Sequence, residues 1–327
     1  MTGAIYLDHM ASTPLDPRVL EEMRPWLAEQ SAANPHSAHR AGWLGAEAIE
    51  RAKDRIARLI GAGPGQIVFT SGATEANNLA LFGACGNGID RVIVSAIEHP
   101  SVLECLPALK RRGIPGTVVG VDSNGLIDLD KLEATLQAPG RALVSIMAAN
   151  NEVGVLEPIA EIAQLCAAHD ALFHTDAAQL FAAGPVDVQS LGIDLLSLSG
   201  HKLYGPMGIG ALYVRDGMTL APLMYGGSQQ QGRRPGTLPT ALCVGLGKAA
   251  DLARLDGARD AERLARLRLR LWEGLQNLAP DLKCNGSMEH GLAGCLNVTF
   301  PGVDAADMVM GLADLALSTG AACGSGG

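Results

Sequence analysis

Apolar residues recur at helical spacing between Trp43 and Ile60, where Leu44, Ala48, Ala52, Ile56 and Leu59 form one stripe. Gly61-Ala62-Gly63-Pro64 stops that helix. The period then changes. Ile67-Val68-Phe69-Thr70 is a continuous apolar run of strand length that turns at Ser71-Gly72-Ala73-Thr74 into a second helix. Further strand-like runs are Val92 to Val94, Thr117 to Val121, Leu143 to Met147, Leu172 to His174, Leu195 to Leu198 and Gly210 to Val214. Between two of them, Ile159, Ile162, Ala163 and Cys166 mark a helix. This alternation predicts an α/β domain built on a mainly parallel sheet. From about Thr237 the chain becomes a long Leu/Ala/Arg-rich helical stretch, followed by a strand at Cys295 to Phe300 and a helix near Ala305 to Leu315. That change of character predicts a second, smaller α+β domain.

Composition narrows the picture. With 327 residues, 48% of them hydrophobic, the chain is long enough for a large core and two lobes. A net charge of -9 and the absence of any basic run argue against nucleic acid as a direct partner. No stretch approaches the length of a membrane span, and Met1-Thr2-Gly3 leads straight into the strand-like Ala4 to Leu7. No signal or transit peptide is therefore expected, and the expected location is cytoplasmic. The seven cysteines are odd in number and contain no Cys-x-x-Cys pair, which reads as reduced thiols rather than a disulfide framework.

In sheets of this kind ligands gather beyond the carboxyl ends of the strands. Five polar clusters fall there: Ser71 to Thr74, Glu98-His99, Asn150-Asn151, Asp176, and Ser199 to Lys202. Each has a plainer reading on its own. Ser71 to Thr74 could be an ordinary helix cap, His99 a satisfied structural histidine, and the asparagines turn residues. Lys202 could be a solvated charge. Asp176 is harder to dismiss, because a carboxylate closing an apolar run is costly to bury without a cationic partner. A lysine and an aspartate at neighbouring strand ends meet the two needs of pyridoxal phosphate: a Schiff-base amine and a partner for the pyridinium nitrogen.

Taken together, the motifs resemble the cysteine desulfurases of the NifS/IscS group, pyridoxal phosphate enzymes of aminotransferase class V. The resemblance runs from Ile5-Tyr6-Leu7-Asp8 to Cys323. It includes Ala11 to Pro14, Asn34-Pro35, Ser71 to Glu75, Glu98-His99, Asn150 to Gly154, Asp176 to Gln179, Ser199 to Pro206 and Arg234 to Thr237. It implies the aspartate aminotransferase-like fold, with a large cofactor-binding domain over 14–238 and a small domain from 1–13 and 239–327. It also implies that the small domain is incomplete at its C-terminus, so that an arginine clamping the substrate carboxylate is missing.

Residue by residue, the resemblance implies that Lys202 holds the cofactor and moves the substrate Cα proton. Asp176 pairs with the ring nitrogen, and His99 stacks on the ring and acts as acid–base. Gln179 and Asn151 sit by the ring substituents, while Ala73, Thr74, Ser199 and His201 hold phosphate. Thr237 reaches the phosphate of a partner subunit, which implies a homodimer. Cys323, in a run of very small residues, is the nucleophile that takes sulfur from L-cysteine as a persulfide and releases alanine. It then passes that sulfur to an iron–sulfur scaffold or a tRNA-thiolation relay, and could serve as a transient iron–sulfur ligand. No resident metal is expected. Gln231 departs from the family, which usually has arginine there, although Arg234 is kept. Two other readings stay open: another class V enzyme, such as a selenocysteine lyase or an aminotransferase, and a non-catalytic paralogue that binds the cofactor.

Overall fold

The computed structural model describes residues 4–32, 34–180 and 186–320. Seven strands form its main sheet. They are β2 (Ile67–Thr70), β3 (Arg91–Ser95), β4 (Gly116–Val119), β5 (Ala142–Ser145), β6 (Leu172–Asp176), β7 (Leu195–Ser199) and β8 (Gly210–Val214), in the order β2-β8-β7-β6-β5-β3-β4. The β4-β3-β5-β6-β7 run is parallel throughout, and β8 lies antiparallel to both β7 and β2.

Strands β5 to β8 are buried along their whole length, which is why they read as continuous apolar runs rather than alternating ones. The period-2 alternation still operates, but between two cores. Phe173, Leu196, Leu198, Ala211 and Tyr213 enter one, while Leu172, Leu195, Leu212 and Val214 enter the other. The first core is closed by α2 (Arg40–Ile60), which buries Ala48, Ile49, Ala52, Ile56, Leu59 and Ile60. Its C-cap Gly61 adopts φ 68°, where glycine alone avoids a steric penalty, and its N–H bonds back to the Ala57 carbonyl. The second core is covered by α3 (Ala73–Cys85), with Ala76, Leu79, Ala80 and Leu81 buried.

Helix α8 (Thr240–Leu278) runs 39 residues, burying Cys243, Val244, Leu246, Ala249 and Ala250 in its first turns. Beyond it, β9 (Lys283–Asn285) pairs antiparallel with β10 (Asn297–Thr299), and α9 (Ala305–Gly311) follows. At the other end of the chain β1 (Ile5–Tyr6) pairs in parallel with β11 (Leu315–Ala316). Four elements are shorter than the sequence pattern predicts; one is β5, which ends at Ser145 rather than Met147. Edge strand β4 stops at Val119, because Val121 instead bridges Ile127 across a turn held by the Asp122 carboxylate. The strand expected at 295–300 narrows to β10. The helix expected to reach Leu315 ends at Gly311, leaving Leu315 to pair with Ile5.

One close approach fixes the turn from β2 into α3. A Cβ on Gly210, the first residue of β8, would lie 2.6 Å from the Leu198 carbonyl oxygen and 2.7 Å from Gly72 Cα. Both are backbone atoms, so the main chain itself would have to move. Gly210→Ala is therefore expected to cost about 1–3 kcal/mol in urea unfolding and to speed amide exchange at residues 72–76. An unchanged unfolding midpoint with unchanged exchange would contradict this packing.

Candidate functional site

The carboxyl ends of the parallel strands open onto a cavity of about 900 Å³. Ala73 and Thr74 line it from the first turn of α3, His99 from the loop after β3, and Asn151 from the loop after β5. Asp176 is the last residue of β6, with Gln179 just beyond it; Ser199 is the last residue of β7, and His201 and Lys202 follow in its turn. Nine of the residues singled out from sequence thus share one cavity. Thr237 does not line it; it is exposed in the loop before α8. Cys323 lies outside the described residues.

The start of α3 is built to take an anion. Its N-cap is Gly72, which has no side chain to cap the first N–H groups, and a Cβ there would meet nothing within 4 Å. Exposed N–H groups at the start of a 13-residue helix attract phosphate. The turn is pinned from behind. Glu75 accepts the Ser71 N–H at 2.7 Å and pairs with Arg234 at 2.8 Å. Gln230, beside the unusual Gln231, spans the backbone of edge strand β2: its side chain accepts from the Phe69 N–H at 2.7 Å and donates to the Phe69 carbonyl at 2.9 Å. Gln231 itself is exposed with φ 62°. The Arg234–Glu75 pair therefore secures the turn without the absent arginine.

At the other side of the cavity Asp176 is only 5% exposed. Its carboxylate accepts from Asn77 Nδ2 at 2.6 Å and from the Ala178 N–H at 2.9 Å. A protonated ring nitrogen is a chemically suited third donor on the cavity side. Behind it, Glu98 is fully buried, accepts the Met147 N–H at 2.8 Å, and is pushed well above the usual carboxylate range by burial and then by Asp176 and Glu157. Burial therefore works against a charge on Glu98. His174, one turn of the pleat earlier, bonds Ser145 and Ser197, and burial lowers it to about 3. It is a structural, uncharged histidine.

His99 is half-buried in the cavity wall. Burial lowers its pKa, Asp176 opposes that shift, and Lys202 adds to it. Its Nδ1 accepts the Ser101 N–H at 3.0 Å, which leaves the ring proton on Nε2. Of the six lysines in the sequence (53, 110, 131, 202, 248 and 283), Lys202 alone lines the cavity among the described residues. Its Nζ and Gln179 Nε2 both donate to the Met10 carbonyl. Thr13 bonds the His201 carbonyl at 2.8 Å, and Ser12 Oγ lies 3.2 Å from His201 Nδ1. The segment after β1 therefore braces the lysine turn from across the chain.

Sequence reasoning missed Asn77, Ser101 and the Met10 carbonyl. Only Asn77 left a signal: a polar residue amid Ala76, Leu79 and Ala80 in a stripe that is otherwise apolar. Asn150 and Asn151 also separate in role. Asn150 holds its own turn, donating to the Ile97 carbonyl and accepting from the Glu152 and Val153 N–H groups, whereas Asn151 lines the cavity.

An anion cradle, a strand-end carboxylate and a single lysine around one cavity meet the requirements of a pyridoxal phosphate enzyme. Comparison with known proteins agrees. The family model "Aminotransferase class-V" matches residues 5–326. The human "Cysteine desulfurase" is 44% identical over 327 residues, spanning 98% of this chain and 71% of that protein. The Escherichia coli "Cysteine desulfurase IscS" is 44% identical over 328 residues, spanning 98% of this chain and 81% of that protein. Among solved structures, a "NIFS-LIKE PROTEIN" superposes with a TM-score of 0.90 at 35% identity, covering 94% of this chain and 86% of that one. "SspA in complex with cysteine" superposes with a TM-score of 0.86 at 40% identity, covering 97% and 90%. The chain belongs to the aminotransferase class-V family and, within it, to the cysteine desulfurases, which are pyridoxal phosphate-dependent.

The Glu75 anchor has a pH signature. Burial alone would raise its pKa, but Arg234 and Ser71 outweigh that, and the net shift is down from 4.5. A depressed carboxylate adds stability that is fully present above its unfolded pKa and fades as pH falls through the lower folded value. Wild type is therefore expected to unfold at higher urea than Glu75→Gln at pH 7, with the gap closing below about pH 4.5. Parallel curves down to pH 3 would contradict the assignment.

Proposed function

We propose that this chain is a cysteine desulfurase in which Lys202, Asp176, His99 and Cys323 carry the reaction on L-cysteine, giving L-alanine and a persulfide. The single observation that carries this reading is that one lysine among the described residues, the start of α3 and the Asp176 carboxylate all line the same cavity. Ala73, Thr74, Ser199 and His201 would hold the phosphate of pyridoxal phosphate, Asp176 its ring nitrogen, and Gln179 and Asn151 its ring substituents. Bound there, the cofactor supplies an electron sink for negative charge developing at the substrate Cα.

Lys202 would hold the cofactor and would take the Cα proton at its Nζ. That Nζ donates to the Met10 carbonyl, which keeps the amine at the cavity wall. His99, neutral with its proton on Nε2, is suited to give or receive a proton without adding charge against Lys202. The sulfur step needs a thiolate: its sulfur bonds to the substrate Sγ as the Cβ–Sγ bond breaks, Cβ takes a proton, and return of the Cα proton from Lys202 completes alanine. The six described cysteines are unsuited to it. Burial pushes Cys85, Cys105 and Cys295 up to about 11 and Cys166 and Cys243 up to about 12, and raises Cys284 as well. All remain thiols at neutral pH, Cys295 included although it lines the cavity. That leaves Cys323.

The active form is a homodimer in this reading, with the exposed Thr237 serving the phosphate of a second copy rather than its own. The persulfide passes to an acceptor protein of iron–sulfur assembly or sulfur relay. The six described cysteines are unpaired, as reduced cytoplasmic thiols would be.

With the cofactor-loaded protein, L-cysteine and a thiol reductant are expected to yield alanine. Cys323→Ser should abolish that release, and Lys202→Ala should cut it by about 10²–10⁴-fold. Alanine produced at the wild-type rate by Cys323→Ser would overturn the nucleophile assignment.

A further inference from the structure

Two buried residues outside the cavity lining, Asn77 and Ser101, join the ring-side groups into one unit. Asn77, fully buried on α3, spends both amide hydrogens: Nδ2 donates to Asp176 Oδ2 at 2.6 Å and to Ser101 Oγ at 2.8 Å. The amide orientation is fixed by chemistry, since a flipped group would set its oxygen against a carboxylate. Asn77 Oδ1 is left buried without a partner among the described residues, a cost tolerated only because the donor side is needed.

Ser101 then has no freedom. Its oxygen accepts from Asn77, and the same oxygen lies 2.8 Å from His99 Nδ1. Nδ1 already accepts the Ser101 backbone N–H at 3.0 Å, so it carries no proton and the Ser101 hydroxyl must donate to it. The hydrogen bonds run in one direction, from Asn77 through Ser101 to His99, while the second Asn77 hydrogen holds Asp176.

We infer that Asn77 and Ser101 are positioning residues that couple His99 to Asp176, fixing the carboxylate in place and locking the histidine in its Nε2–H form. This rests on the reading of His99 and Asp176 as the groups that face the cofactor ring. With Nδ1 occupied by two donors, the ring stays neutral beneath a bound cofactor and offers its one proton from Nε2. The charged groups bearing on His99 are Asp176 from β6 and Lys202 from the turn after β7, and burial pushes the pKa of the adjacent Glu98 well up. Asp176 favours a protonated ring, so the donors on Nδ1 oppose that pull.

The test is a pH titration of the His99 ring nitrogens by ¹⁵N NMR in the cofactor-free protein, in wild type, Ser101→Ala, Ser101→Thr and Asn77→Ala. Wild type should show the Nε2–H tautomer and titrate below an ordinary histidine. Ser101→Ala removes the donor, and Asn77→Ala frees the Ser101 hydroxyl to accept instead; each should raise the His99 pKa by about one unit, a tenfold gain in proton affinity. Ser101→Thr keeps the hydroxyl and should restore the wild-type titration. Asn77→Ala should in addition retain pyridoxal phosphate about tenfold less tightly, having lost a hydrogen bond to a charged group. An Nδ1–H tautomer in wild type, or an unmoved His99 pKa in either alanine variant, would overturn the inference. Because this readout needs no turnover, it stands or falls separately from the desulfurase assay.

Discussion

A carboxylate at the end of a buried strand is the constraint around which this molecule is arranged. Asp176 is the last residue of β6 in the middle of a sheet covered on both faces, and burying its charge costs several kcal/mol unless donors surround it. The protein provides two, the Asn77 amide and the Ala178 N–H, and the remaining side opens on the cavity. Burial pushes the pKa of nearby Glu98 well up. In the proposed reading a cationic ring nitrogen would be the third donor. The site is thus electrostatically unfinished in a way that suits one kind of cofactor.

The rest of the fold delivers groups to the same rim by backbone geometry. Parallel strands end together, so the residues after β3, β5, β6 and β7 converge although they are far apart in sequence. The turn into α3 presses against β8 so closely that Gly210 admits no Cβ. That contact, with the Glu75–Arg234 pair behind it, fixes the uncapped helix start at the cavity wall. Ser12, Thr13 and the Met10 carbonyl brace the lysine turn. A helix start and a buried carboxylate therefore line one cavity, which suits a cofactor that carries both a phosphate and a protonated ring nitrogen.

Much of this was legible in the sequence, because local signals carry it. Continuous apolar runs marked the buried strands, and small or polar residues directly after them marked the rim, so nine rim residues could be named before any coordinates. Other features depend on contacts between distant segments, which no local pattern encodes. Met10 meets Lys202 across 192 positions, and Thr13 meets His201 across 188. Asn77 stands out in its apolar stripe, but nothing local names its partner Asp176, 99 positions away. Short edge elements failed for a related reason: Val121 and Leu315 look strand- or helix-competent, yet each is claimed by a partner outside its own run.

The central claim is that Lys202, which lines one cavity with the start of α3 and Asp176, is the cofactor lysine. It is tested most directly by loading the protein with pyridoxal phosphate, reducing it with borohydride, and locating the modified residue by mass spectrometry of a digest. The account predicts the pyridoxyl group on Lys202 alone among the six lysines. Modification of any other lysine, with Lys202 unlabelled, would contradict it.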